Sequence, residues 1–402
     1  MTAPPRSFTL TLAVVVGLGP FAIDMYLASL PDIAAEFRAP VWVTQLTLTG
    51  YLLVLGLGQL FAGPLTDAVG RRTPLLAGLA LFTAGSVAAA LAPSMAVLVA
   101  ARLLQAAGGA VTVVVVNSSV RDRAEGDAAT RLYAALMVVV AVAPIIAPAA
   151  GGALDGVAGW RAVFVALAVL GALTLFAAVR FLPESLPVAA RTPFRPGATL
   201  RGYGSLMRDR AFVVPAAAIC TVFGFLFAYI GGASYVYRGT YGLGASEFGL
   251  LFGATAVAVA VGAGAAHVLA DRLAARTNAV LGAALIVAGA IGATVAAVAG
   301  LPIWVLAVCF AVALAGLGIT EPVLMGAAMN ARSDGLGSAS AVLGACQFVL
   351  GAVGTAAAGA AAAAGPVVWT GLLLGIAVVA ALLTLALPRA RIPAGDRSHG
   401  AA

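Results

Sequence analysis

A chain of 402 residues that is 62% hydrophobic and 9% charged cannot stay wet as a soluble fold, which carries about 25% charged residues, and it leaves no room for an independent enzyme core. All of its basic residues are Arg and the net charge is +7; without a continuous basic surface bearing groove-reading or stacking groups, that charge does not indicate nucleic acid. Cys220, Cys309 and Cys346 lie in separate apolar stretches with no disulfide framework or metal-ligand spacing.

A helix needs about 20 apolar residues to cross the ~30 Å hydrocarbon core, and a helix pairs its own backbone groups where lipid offers none. Twelve such runs follow in chain order, at 8–30, 43–64, 75–92, 96–119, 132–153, 161–182, 211–232, 247–269, 278–299, 302–326, 338–361 and 367–387. The first flows into further spans without a small-residue cleavage site and reads as a retained helix, not a signal peptide. The longest polar connection falls between the sixth and seventh runs. The expected fold is therefore an all-α integral membrane protein of two six-helix bundles, 1–182 and 211–388, joined by a linker over 183–210 and ending in a tail over 389–402.

Short Arg-rich loops stay on the cytoplasmic side. With the N-terminus inside, only Arg38, Arg161 and Arg238 fall outside and Arg102 lies within a span, which leaves eighteen of 22 inside. The expectation is a multi-pass protein of a bacterial inner membrane with both termini cytoplasmic, in contact with lipid and, since nothing in the chain requires a partner, monomeric.

Leu65-Thr-Asp67-Ala-Val-Gly-Arg-Arg72-Thr73 after the second run matches Leu269-Ala-Asp271-Arg-Leu-Ala-Ala-Arg276-Thr277 after the eighth, at an offset of 204 residues. That placement is what duplication of a six-span unit requires, an arrangement known in secondary transporters. The segment from Gly63 to Arg72 resembles the loop signature of the major facilitator superfamily, with Ala68 where many members carry Arg. Asp24-Met-Tyr-Leu-Ala-Ser-Leu-Pro31 resembles the first-helix motif of its bicyclomycin and chloramphenicol/florfenicol resistance exporters, the Bcr/CflA drug:proton antiporters. Arg102-Leu-Leu-Gln105-Ala-Ala-Gly108-Gly109-Ala110 resembles the Arg-containing fourth-helix motif. Ala143-Pro144-Ile-Ile-Ala-Pro148-Ala-Ala-Gly151-Gly152 resembles the fifth-helix antiporter signature, with Ala147 where many antiporters have Gly. Tyr229-Ile-Gly-Gly-Ala-Ser234 is closer to this group than to sugar or peptide porters. The resemblance implies twelve helices in the major facilitator fold and efflux of a small molecule against protons.

The residues have readings of their own. A charge near the bilayer centre costs at least ~2.5 kcal/mol, so an ionisable residue there faces a cavity or a partner. Asp24, Arg102 and Glu321 are the three such residues. Asp24 reads as a proton carrier or as a structural hydrogen-bonding group; Arg102 as a tuner of that carboxyl, a clamp between helices four and one, or a snorkelling side chain. Glu321 precedes Pro322, which weakens the helix there, and reads as a coupling or cation-contacting acid, or as a solvated boundary residue. Asp67, Gly70, Arg71 and Arg72 read as an inter-half latch or as a topological charge cluster. Pro144, Pro148, Gly151 and Gly152, like Gly108 and Gly109, bend helices and allow close approach, for packing alone or for motion. Tyr26, Tyr51, Phe227, Tyr229 and Tyr235 read as lining a cavity for an amphipathic ligand, or as core. Gln45, Gln105, Asn117 and Gln347 are polar groups within spans that bond substrate or another helix.

No Gly-x4-Gly-Lys-Ser/Thr phosphate loop is present, so the energy source is an ion gradient or the substrate's own. No cofactor and no metal are expected. The function these features favour is proton-coupled efflux of small amphipathic drugs by alternating access, with a dedicated exporter of an endogenous metabolite as the alternative. A membrane enzyme or channel lacks a metal cluster, a nucleophile constellation and a repeated pore loop in this sequence.

Overall fold

The structure is a computed structural model, and it describes residues 5–124, 126–194, 196–331 and 336–387. The expected tail from residue 389 lies outside them. The first span is α1 (Arg6–Asp24), a 3-10 turn (Leu27–Ser29) and α2 (Leu30–Glu36). Then follow α3 (Val41–Val69), α4 (Arg72–Ala90), α5 (Met95–Arg123), α6 (Gly126–Ala158) and α7 (Trp160–Phe181). The linker contains a short helix, α8 (Pro196–Leu206). The second half comprises α9 (Arg210–Ser234), continued by a π-helical turn over Tyr235–Thr240, then α10 (Ala245–Ala270), α11 (Ala275–Val298), α12 (Ile303–Met329), α13 (Leu336–Ala363) and α14 (Pro366–Leu385).

Twelve of these segments are long and apolar enough to cross a membrane. Their outward surfaces carry Leu10, Phe61, Phe176, Val261, Trp304 and Leu382, each at least 60% exposed, as a lipid-facing wall requires. The helices overrun the apolar runs that predict them. α6 extends to Gly126 and Ala158 where the apolar run covers 132–153, because hydropathy marks only the hydrocarbon portion of a helix that continues into the interface.

The first six spans pack mainly on one another, as do the last six, and the halves meet along α3 with α13 and α6 with α10. Each half thus offers its second and fifth helices to the other. The 204-residue offset governs more than the loop motif. Gly78 of α4 lies against Gly108 of α5 and Gly85 against Gln105, while Gly282 of α11 lies against Gly316 of α12 and Gly289 against Ala313. A Cβ at any of the four would strike neighbouring backbone. Arg72 donates to the carbonyls of Leu182 and Val179 at the end of α7 (3.0 and 2.9 Å), and Arg276 donates to those of Leu387 and Leu385 at the end of α14 (3.2 and 2.7 Å). The repeated Arg satisfies the otherwise unpaired last carbonyls of the sixth helix in both halves.

Candidate functional site

The first span is not the single helix its apolar run predicts. Pro31 has no N–H to offer a preceding carbonyl, and the chain passes through a turn at Met25–Tyr26 and the 3-10 turn before α2 begins. Asp24 ends α1 at this break. It is 4% exposed and makes no side-chain hydrogen bond or ion pair with any described residue.

Arg102 is completely buried on α5. Its guanidinium lies between two phenol rings, 4.2 Å from the centroid of Tyr26 and 4.2 Å from that of Tyr51. Nε donates to the Thr47 carbonyl at 3.3 Å, and Nη1 donates to Gln105 Oε1. Gln105 in turn donates to Ser86 at 2.7 Å. Arg102 therefore ties α1's span, α3, α4 and α5 together, and one of its nitrogens, Nη2, has no partner. No ion pair joins it to Asp24; the charge is held by aromatic faces and carbonyls, which attract a desolvated cation by ~2 kcal/mol or more.

The other aromatics also pack inward. Tyr26 and Tyr51 are fully buried, Phe227 and Tyr229 nearly so, and Tyr235 half-buried. Tyr229 lies 5.2 Å from the Phe252 ring and bonds Thr255 at 2.9 Å, and Phe227 packs with Phe223 and Phe348. None of them borders the open cavity. Glu321 sits in the interior of α12 without a bonded partner among the described residues.

That cavity, about 450 Å³, opens on the Arg-rich face between α3, α5, α8 and α13. Gln59, Asp67, Asn117, Arg121, Tyr203 and Ser338 are among its lining residues. Of the polar residues singled out within spans, Asn117 reaches it. Gln45 instead crosses between the halves near the opposite face, donating to the carbonyls of Gly231 at 3.4 Å and Thr355 at 3.1 Å.

The fifth-helix glycines have different neighbours. A Cβ on Gly151 would land on the Met25 carbonyl, beside Asp24, and one on Gly152 would land on the Ala245 carbonyl of the second half. The Pro148 carbonyl faces Gly249 of α10 just as closely. α6 is wedged between the break in the first span and α10.

The loop motif is built on Gly70, whose φ of +99° suits glycine. Arg71 bonds Asp67, Thr66 at 3.0 Å and Asp122 at 3.1 Å. Glu184, just after α7, accepts the backbone N–H groups of Arg71 (2.8 Å) and Arg72 (3.3 Å). Glu184 and Asp122 escape motif-level reading, yet an acid between two prolines at the membrane edge, on the same side as an Arg pair, is a usable signal. Among the described residues, the hydrogen bonds and ion pairs of this cluster stay within the first half and the linker. At the repeat-related position of Arg71 the second half has Ala275, so Arg72 does duplicated structural work and Arg71 does something particular to the first half.

Burial pushes the Glu184 carboxyl up, but the backbone N–H groups of Leu186, Arg71, Arg72 and Ser185 outweigh it and hold it below its ordinary value of 4.5. A carboxyl lowered by folding stabilises the fold above its unfolded value and stops doing so as pH falls through its folded value. The turn should therefore loosen on acidification below about pH 4.5. Glu184→Gln should loosen it at neutral pH, with amide exchange at Arg71 and Arg72 rising about tenfold for the ~1.5 kcal/mol of a charged hydrogen bond. Unchanged exchange at both amides would refute this.

The chain matches the model of the Major Facilitator Superfamily over residues 12–355. It is 34% identical over 363 residues to an uncharacterized MFS-type transporter, YdgK, of Bacillus subtilis (strain 168), covering 87% of this chain and 89% of that protein. It is 26% identical over 346 residues to a bicyclomycin resistance protein homolog of Haemophilus influenzae, covering 86% of this chain and 87% of that one. A solved D-xylose-proton symporter superposes with a TM-score of 0.74 at 17% identity, over 95% of this chain and 98% of that one, which shows the shared fold. Two six-helix bundles, a duplicated loop motif and these likenesses together place the chain in the Major Facilitator Superfamily.

Proposed function

We propose that this transporter exports small amphipathic drugs in exchange for protons by alternating access, in the bacterial cytoplasmic membrane with its Arg-rich face and both termini inward. The observation that carries this reading is one-sided access. The cavity is open at the Arg-rich face, while on the opposite face Gln45, Arg238 and Ser246 bond across the two halves. A carrier open to one side at a time needs that asymmetry, and the likeness to the bicyclomycin resistance protein homolog of Haemophilus influenzae supports a drug as cargo.

Asp24 is the proton carrier in this scheme, a buried unpaired carboxyl at a break between α1 and α2 where a small motion changes its surroundings. Arg102 fixes the two rings beside it, and Glu321 offers a second acid, in α12, for coupling or for a cationic substrate. The Arg71–Asp67–Asp122 cluster biases the halves. Asp67 and Ser338, near the start of α13, border the same cavity, so closing the cavity would bring a carboxylate toward a helix N-terminus, where negative charge is favoured. The Asp67 carboxylate is about half exposed, and a pair screened in that way is worth ~0 to 1 kcal/mol, enough to bias a latch without locking it.

The test uses inside-out vesicles with an acid interior, to which bicyclomycin, phenicols and lipophilic cations are added. Wild type should release internal acid when a substrate is added, and Asp24→Asn should abolish the response while still binding substrate. A full response in Asp24→Asn removes that residue from coupling. No response in folded wild-type protein to any compound moves the assignment to an exporter dedicated to a metabolite.

A further inference from the structure

The cavity on the Arg-rich face has an uneven lining. The aromatics singled out within the spans all pack away from it, yet two rings do border it, Phe194 and Tyr203, and both belong to the linker. They are the only aromatic side chains among its described lining residues. Neither ring stacks on another ring or under an Arg of the described residues, so their faces have no aromatic or cationic partner. Phe194 is 46% exposed, an uncovered apolar ring at an opening framed by α3, α5 and α13.

Two hydrogen bonds hold this stretch in place. The Thr192 N–H donates to the Asp67 carbonyl at 3.1 Å, and the Tyr203 hydroxyl donates to the Leu60 carbonyl at 3.0 Å. One ring thus carries a mooring itself and the other stands two residues from one. Both are positioned before any ligand arrives, which lowers the ordering cost of binding. The helices complete the lining with different chemistry. α5 contributes Val113 and Val114 and, one turn on, Asn117, whose side-chain amide makes no hydrogen bond with any described residue and keeps its donors and acceptor for a ligand. A volume of about 450 Å³ takes one drug-sized molecule, and an aromatic ring favours a second ring by offset or edge-on packing.

We propose that the linker is part of the cargo site: Phe194 and Tyr203 form its aromatic wall, and it takes small molecules that carry a benzene-type ring together with hydroxyl or amide groups for Asn117. The aromatics of the spans then serve the fold, and discrimination among cargoes lies in the connection between the halves. The proposal narrows the efflux reading and rests on it only for what the bound molecule does next. Binding at equilibrium requires neither protons nor transport.

The test is equilibrium binding to the purified full-length protein in phosphatidylethanolamine/phosphatidylglycerol nanodiscs, with binding to empty nanodiscs subtracted. The probes are chloramphenicol and florfenicol, which carry a benzene ring, and bicyclomycin, which carries none. Phe194→Leu and Tyr203→Ala should weaken binding of both phenicols by about three- to tenfold, the loss of one ring–ring contact, while Phe194→Trp and Tyr203→Phe stay within about twofold of wild type. Bicyclomycin binding, where wild type shows it, should not follow this pattern. Phe194 is exposed, so its variants test recognition without threatening the fold, and they carry the test alone if Tyr203→Ala does not fold. Phenicol binding unchanged in Phe194→Leu, an equal loss in Phe194→Trp, a parallel loss for bicyclomycin, or no phenicol binding by wild type each overturns the proposal. A wild type that binds phenicols in this pattern yet gives no response in the acid-loaded vesicles overturns the efflux reading and leaves this site standing.

Discussion

Arg102→Lys is expected to lower the thermal midpoint of the detergent-solubilised protein by about 5 to 10 °C and to reduce transport at least tenfold. The planar guanidinium fills the space between Tyr26 and Tyr51 and bonds Thr47 and Gln105 simultaneously. A Lys ammonium is a compact, strongly hydrated point charge that cannot stack between two rings. Loss of two desolvated cation–π contacts and a charged hydrogen bond amounts to ~2 to 4 kcal/mol, and for a unit of roughly 190 residues each kcal/mol moves the midpoint by about 2 to 4 °C. Tyr51→Phe is the informative companion: the Tyr51 hydroxyl has no partner, so keeping only the ring should keep the stability. A Lys variant with wild-type midpoint and transport would sink the clamp account, and a strongly destabilised Tyr51→Phe would show that the hydroxyl matters in a way the contacts do not explain.

Gly151→Val and Gly152→Val, one residue apart, are expected to fail differently. The added carbon at 151 meets the Met25 carbonyl inside the first half, and the one at 152 meets the Ala245 carbonyl across the inter-half seam. Overpacking a tight contact costs ~1 to 3 kcal/mol or more. Within a bundle this cost falls on folding itself, so Gly151→Val should yield several-fold less monodisperse protein. Between bundles the halves can escape by parting, so Gly152→Val should fold and populate a form open on the face opposite the cavity. A reactive cysteine at Thr44, buried at present under that face, would report the opening as faster labelling. Equal yields with unchanged labelling in both variants would mean that α6 can shift to make room.

The fold was legible because lipid imposes a simple rule: twelve apolar runs, a polar connection at the midpoint and a 204-residue repeat define the architecture. Helix ends were less so, since hydropathy stops at the hydrocarbon boundary and α6 does not. The break after Asp24 is signalled in the sequence by Pro31 but masked by a run that is apolar throughout. Facing directions could not be read at all. In helices apolar on every side, nothing distinguishes Tyr229 in a stack from Tyr229 beside a cavity. Glu184, Asp122 and Arg238 were visible as charges but lay in segments remote in sequence, and only folding puts 113 residues' separation between Arg71 and Glu184 into one hydrogen bond. Gly78 and Gly85 could have been found by extending the repeat beyond its loop, since their partners at 282 and 289 are also Gly.

The linker has one mechanical consequence. Pro64 cannot donate to the Leu60 carbonyl, and Tyr203 of α8 takes that vacant place, its hydroxyl donating at 3.0 Å. The linker helix is thereby tied to α3 of the first half while it also packs against α13 of the second. What remains between the end of α8 at Leu206 and the start of α9 at Arg210 is Met207, Arg208 and Asp209, a leash of roughly 10 Å even when pulled straight. Two bodies joined by so short a segment can tilt about it but cannot drift far apart at that point. In the proposed alternating-access cycle, this short tether limits how far the two halves can separate on the Arg-rich face.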